Sequence, residues 1–386
     1  MTGTSRQTRA QCRARARAGW LAAAALAGCS GEPAPEAVGP PGAWWVGRTP
    51  AVAAVLGQLG QLEGTPLARA ALQLAAVLPD CPTVGARADA ADFGPLLFET
   101  RCVDPGDTLA AALGRTDAEI VFALPAERGA RAHGALRFDP GALVVDLSWP
   151  RADADGALAL LLPGDEPAGP DRLASRGRLV HVRVRPRGGL DLGALVPADS
   201  QADRLFRLRS DLFASAVLDG TWEGAVYLPE RADGMPGVAL ALGFRVKSAA
   251  VAAAERFLAD LGETWDVHRA ALRLGPAEGA CLPALNVLPD FAPCYVATDG
   301  ALVVGWNPAS LERALAEDGG DVPGAGARLD VDLALIHRAD ALIARRLDTA
   351  LVPLRWPWRR LRAAGEREGD TTVWRLELML PHEARS

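Results

Sequence analysis

The sequence predicts an α+β protein built from a duplicated unit of largely antiparallel strands with intervening helices. Three observations carry this. Strand-like pieces ending in Leu-Pro recur at residues 119–125, 223–229 and 374–381. Their spacing recurs as well: Pro229 follows Leu179 by 50 residues, and Pro381 follows Leu329 by 52. Asp-Gly pairs at Asp155-Gly156 and Asp299-Gly300 each precede Ala-Leu and an apolar run, a turn-then-strand signal.

The chain opens with Arg6, Arg9, Arg13, Arg15 and Arg17 and no acidic residue, followed by a short apolar run from Trp20 to Ala27. A basic start, an apolar run too short to span a bilayer and small residues at its end make residues 1–28 a secretory signal. The run closes on Leu26-Ala27-Gly28-Cys29, which resembles the lipobox of bacterial lipoprotein precursors. That resemblance implies cleavage before Cys29, diacylglycerol on its thiol and attachment to a membrane through acyl chains. Ser30 in place of Asp implies the outer membrane of a two-membrane bacterium. Residues 29–43, with Pro33, Pro35, Pro40 and Pro41, read as an extended tether reaching about 40 Å at roughly 3 Å per residue.

The folded body is expected from Trp44, as one α+β unit over 44–177, a second over 178–326, and a truncated third over 327–386 packing on the others. Residues 178–184 alternate with the period of a half-buried strand. Val180, Val182 and Val184 are expected to face the core, and His181, Arg183 and Arg185 the solvent, where that row could hold an anion. Ser200 opens a capping-box pattern before the stripe Leu205, Leu208, Leu212 and Ala216. Ser248 can cap a helix carrying Val251, Ala254, Leu258 and Leu261, and Asn307-Pro308 starts one carrying Leu311 and Leu315. In residues 328–335, Leu329, Val331, Leu333 and Leu335 are expected inward, with Asp330 and Asp332 outward. Residues 299–315 are similar to a strand–turn–helix passage of uncharacterised repeat-bearing bacterial envelope proteins. The likeness implies no functional residues.

Composition bounds the partners. Removing the five arginines of residues 1–28 leaves 36 basic against 47 acidic groups, a net charge of −11. An acidic body does not neutralise phosphate, which argues against nucleic acid. Besides Cys12 in the leader and Cys29, four cysteines remain: Cys81, Cys102, Cys281 and Cys294. An even number in an exported chain implies disulfides. Three pairings are open, of which the local one, Cys81–Cys102 and Cys281–Cys294, is expected. Tight Cys or His spacing suited to zinc does not occur, and no metal or cofactor is expected.

The motifs of common chemistry are missing: no G-x-S-x-G, no H-E-x-x-H and no P-loop. Gly324-Ala-Gly326 lacks the third glycine of a dinucleotide loop, and Asp153-Ala-Asp155-Gly156 lacks the flanking ligands of a calcium loop. His337 sits near Asp330, Asp332 and Asp340 in sequence, yet on a strand whose aspartates should face water. No catalytic residue is assigned. One stretch stands apart: residues 338–367 hold eight arginines and three acidic residues, including Arg355, Trp356, Trp358, Arg359, Arg360 and Arg362. Tryptophan and arginine together favour interfaces, and a helix starting at Pro357 would put Trp358 and Leu361 on one side. The expectation is therefore a lipid-anchored envelope protein, more a docking component for anionic lipid or an envelope protein than an enzyme. The alternatives are a carrier of lipid or another apolar ligand, and a hydrolase whose site is dispersed in the sequence.

Overall fold

A computed structural model describes residues 43–62, 65–88, 99–125, 131–150, 162–186, 218–229, 235–285, 290–316, 326–339 and 356–380. Cys29 and the residues expected as signal and, but for Ala43, as tether lie outside the described residues, as do Asp155-Gly156, the segment opened by Ser200, Asp340 and Arg355. The fold is α+β, and every strand pairing among the described residues is antiparallel. No helix among them is long and apolar enough to cross a membrane.

The chain forms two compact units: residues 1–151 with 354–359 and 368–386, and residues 152–353 with 360–367. These boundaries differ from the expected divisions at 177 and 326. The span expected as a third unit is shared between the two, because its strands pair with different partners.

The first unit opens with β1 (Ala43–Arg48), whose Trp44 and Val46 are buried. Pro50 then starts α1 (Thr49–Gly60), since proline is tolerated where helix N–H groups have no partner. Thr65 caps α2 (Pro66–Ala76), accepting from the Ala68 N–H at 3.0 Å. After β2 (Thr83–Ala88) and β3 (Arg101–Cys102), Asp107 caps α3 (Thr108–Leu113). The Leu109 N–H, then Arg101, hold the Asp107 carboxyl below its ordinary range. β4 (Ile120–Pro125), β5 (Arg131–Asp139) and β6 (Ala142–Pro150) complete an antiparallel run in which β4 also pairs β1. Gly134 lies opposite Phe122 in that run, and a Cβ there would strike the Phe122 ring. The core gathers Trp44, Val46, Val103, Leu109, Leu113 and Val121.

The second unit begins with β7 (Arg178–Val184), then β8 (Leu218–Tyr227) and β9 (Gly237–Phe244), in direct succession of pairing. α4 (Lys247–Trp265) buries Ala250, Ala254, Leu258 and Leu261, matching the expected stripe except that Val251 is half-buried. Its N-cap position is Val246, without a side-chain cap, so Ser248 lies inside the helix and does not cap it. β10 (Ala270–Leu274), β11 (Ala277–Cys281), β12 (Cys294–Ala297) and β13 (Ala301–Gly305) form a meander that returns to β9. Asn307 caps α5 (Pro308–Ala314) as expected, accepting from Ser310 N at 2.8 Å. β14 (Ala327–Asp332) pairs β7 on one side and β15 (Arg360–Glu368) on the other. The last strand, β16 (Thr371–Met379), belongs to the first unit and pairs β6 along nine residues.

Both expected disulfides are present: Cys81–Cys102 and Cys281–Cys294, with Cα separations of 6.0 and 4.1 Å. The second lies within the core of its unit, beside Tyr227, Val296 and Leu311. Each closes a short loop, and replacing either pair by alanine is expected to lower stability by about 3 kcal/mol. Denaturant unfolding of each double variant measures this, while non-reducing peptide mapping should recover Cys81 with Cys102 and Cys281 with Cys294.

Candidate functional site

β7 and β8 together carry the most concentrated polar group in the second unit. Pairing sets Arg183 directly opposite Glu223, and His181 opposite Ala225. On the other side, β14 sets Arg328 beside Arg183 and Asp330 beside His181. Alternation places these side chains on one face, and that face is buried: His181, Arg183 and Glu223 are 0%, 1% and 0% exposed. This reverses the expectation that His181 and Arg183 sit on the solvated side of the strand. Asp330, expected outward, is likewise buried.

What covers the face explains the reversal. Residues 162–177 carry no helix and no extended strand; they cross this face as irregular backbone, with a single bridge from Pro163 to Pro186. Irregular backbone brings N–H and C=O groups that need partners once buried. Glu223 supplies them: Oε2 accepts from Arg172 N at 2.7 Å and Oε1 from Leu173 N at 3.1 Å. His181 Nε2 stands 2.8 Å from the same Oε1 and donates to it, which fixes its proton on Nε2. Tyr227 donates its hydroxyl to Ala174 O at 3.0 Å, and burial pushes that phenol's pKa up. Ala174 N donates to Ala314 O at 2.9 Å and Leu228 N to Gly177 O at 2.9 Å.

Charge is balanced within the cluster. Asp171 accepts from Arg183 Nη1 and lies 3.6 Å from Arg178 Nη1, both pairs being nearly buried. Arg172 reaches Asp219 at 3.5 Å. Burial pulls the Arg183 guanidinium below its ordinary pKa, with Asp171 and Glu223 opposing the shift. Asp171, His181 and Glu223 offer ligand atoms within 4.8 Å of one another, a grouping that could in principle hold a cation. A cation would have to take Asp171 from two guanidinium groups and compete with two backbone N–H groups for Glu223. The donor set is therefore that of a charge-paired clamp, not of a metal centre.

A neighbouring cleft of about 270 Å³ is polar, lined by Ser175, Arg178, Asp330, Asp332 and Arg360 among others. Its charges are engaged with one another. Arg360 holds Asp330 through two bonds of 2.6 Å, and Asp332 accepts from Leu335 N at 2.8 Å. Burial of Asp330 opposes ionisation, but Arg360, with Arg362 and Arg178, keeps its carboxyl below the ordinary range.

The residues singled out in the Trp/Arg stretch separate. Trp356, Trp358 and Arg359 belong to the first unit, Arg360 and Arg362 to the second. The chain runs into strand β15 where a helix from Pro357 was expected. Trp358 is buried and donates Nε1–H to Gln58 Oε1 at 3.0 Å. Arg360 is spent on Asp330, with Arg362 3.9 Å from the same carboxylate. Trp356 and Arg359 are exposed, and Arg355 lies outside the described residues. The expected patch is thus not one exposed surface. His337 is exposed on the helical turn 333–339.

Sequence reasoning missed Asp171 and Glu223. A signal existed: Glu223 is an acid in the middle of an apolar strand, and the facing strand-like piece holds His181 and Arg183.

No family profile and no curated protein matches the chain. Among solved structures, one described as crystal form III of TP0453 aligns over 61% of this chain and 84% of that chain. Its identity is 12% and its TM-score 0.30.

Removing one partner of a buried charge pair strands the other, at about 3–5 kcal/mol. Glu223→Ala should destabilise the second unit by that order and expose residues 162–177 to protease. Arg185→Gln, which breaks the more exposed pair with Glu166, should cost under about 1 kcal/mol. Urea unfolding and limited proteolysis of both variants check this. Because the folded-state pKa of Asp330 is depressed, its contribution is full above the unfolded value near 3.8 and is lost as pH falls through the lower folded value. Asp330→Asn should therefore flatten the acid limb of a stability–pH curve below about pH 4, a loss the neutral-pH difference would mirror.

Proposed function

We propose that this chain is a lipid-anchored, non-enzymatic protein of a bacterial cell envelope, acting as a binding or docking component. The observation that carries the reading is the complete pairing of Cys81, Cys102, Cys281 and Cys294 in two disulfides. Disulfides belong to oxidising compartments. The cysteine they leave over outside the leader is Cys29, at the end of the Leu26-Ala27-Gly28-Cys29 motif. The best-organised polar group supports the non-enzymatic part, since its carboxylates are consumed in holding backbone and guanidinium groups.

The body is read as a duplicated α+β unit, but with other correspondences than the sequence matches suggest: β4 answers to β14 here, whereas the recurring Leu-Pro pieces match residues 119–125 with 223–229, on β8. In each half a strand (β1, β9) leads to helix (α1 and α2, α4), then to a disulfide-bonded run of strands, with Cys81 just ahead of β2 in the first and Cys281 and Cys294 on adjacent strands in the second. A short capped helix follows (α3, α5), and then a strand (β4, β14). The outer membrane of a two-membrane bacterium is the location this reading favours, from Ser30 after the cysteine.

The anchor is tested by detergent phase partitioning and intact mass of the chain expressed with its leader. Wild type should enter the detergent phase with a mass fitting an acylated N-terminal Cys29, and Cys29→Ser should move to the aqueous phase. A variant that partitions like wild type would overturn the reading.

A further inference from the structure

The helices of the first unit present an outer surface almost without charge. α1 buries Ala51, Val52, Val55, Leu56 and Leu59, and α2 buries Ala68, Ala71 and Leu74. The two helices pack on each other. Their exposed positions include Ala53, Ala54 and Gly57 on α1, and Leu72 and Ala76 on α2, with Val77 just beyond it. Leu72 and Val77 are 58% and 57% exposed, the largest exposures among the large apolar side chains described. Arg69 is the one charged residue among the described residues between 49 and 79. A water-facing helix ordinarily carries its charges on the face away from the core, and a protein surface is about a quarter or more charged. Here the exposed positions of α1 are proline, alanine and glycine, and those of α2 set Arg69 and Gln73 beside Leu72, Ala75 and Ala76, although nearly a quarter of the whole chain is charged (23%).

We propose that this face of α1 and α2 rests on a lipid surface and is held there by apolar contact, not by charge. The proposal rests on the lipid-anchor reading for its geometry. Cys29 precedes Ala43, the first residue of β1, by 14 positions, and β1 runs straight into α1 at Thr49. A tether of that length spans at most about 45 Å at roughly 3 Å per residue, so the membrane holding the acyl chains is within reach of these helices. Tethering converts a weak surface contact into an intramolecular one, so a few exposed apolar side chains suffice. Trp358 docks on Gln58 of α1, and exposed Trp356 is two residues away in the chain, so its backbone is held within about 7 Å of that of Trp358. Tryptophan suits the boundary between lipid and water. Net charge in the body is negative, and an apolar face escapes the repulsion that anionic head groups would exert on its acidic surfaces.

The test uses residues 29–386 carrying Cys29→Ser, so that no acyl chain contributes, and vesicles of neutral phosphatidylcholine. The chain should co-sediment with the vesicles, equally at low and high salt, and the α1 and α2 amides should exchange more slowly when vesicles are added. Leu72→Gln with Val77→Gln should lower the partition coefficient roughly tenfold, as expected for removing two half-exposed aliphatic side chains from a lipid contact. Thermal unfolding in the absence of vesicles should not change, because both side chains face outward. Binding unaffected by the double variant overturns the proposal, as does binding confined to anionic vesicles and abolished by salt. Absence of vesicle binding also overturns it, as does a self-association of wild type that the double variant loses, which would assign the face to a second copy. These outcomes are independent of the anchor, whose failure shows instead as a wild-type chain whose intact mass carries no acyl group on Cys29.

Discussion

The second unit depends on one carboxylate that does three jobs at once. Glu223 accepts from two consecutive backbone N–H groups of the 162–177 crossing and from His181, while Arg183 lies opposite it on β7. Replacing this by apolar contact would leave the crossing backbone unsatisfied, and satisfying it by water would open the sheet face. The cluster therefore trades the desolvation of two carboxylates and two guanidinium groups against burial of a whole irregular segment. Leu173 and Ala174 reach the core only because that exchange holds.

The strand pieces and capped turns were legible because they are local. Residues 178–184 become β7, Asn307-Pro308 starts α5, and the Cys281–Cys294 hairpin closes as its spacing suggested. The side on which a strand is buried was not legible. Alternation gives the period of β7 but not which half faces in, and that choice is made by the covering segment. A helix over this face would have favoured the valines; backbone with free N–H groups favours His181 and Arg183. Ser248 and Pro357 misled for a related reason. Both are sound local helix starts, but the first lies inside a helix whose length is set by packing, and the second precedes a strand demanded by pairing with β14.

The arginine-rich stretch shows how composition can mislead about surfaces. Its excess of positive charge reads as a patch, yet Arg360 turns to a buried aspartate of β14 and Trp358 to a helix amide. Of the charge visible in sequence, Arg360 and Arg362 turn to Asp330, while Arg338 and Arg359 stay exposed. The surface that stands out physically is the opposite kind, the outer face of α1 and α2, which carries a single charge at Arg69 and which a scan for charge passes over.

The pairing of β6 with β16 carries a consequence for when the first unit can finish folding. The two strands share nine residue pairs but are separated by about 220 residues of intervening chain. During synthesis from the N-terminus, β6 is made with that flank bare while the second unit is still to come. An unpaired strand edge invites association with whatever strand is nearby. Assembly of the first unit is thus tied to completion of the chain: its sheet closes only after the last strand has been made, whatever the order in which the two cysteine pairs oxidise.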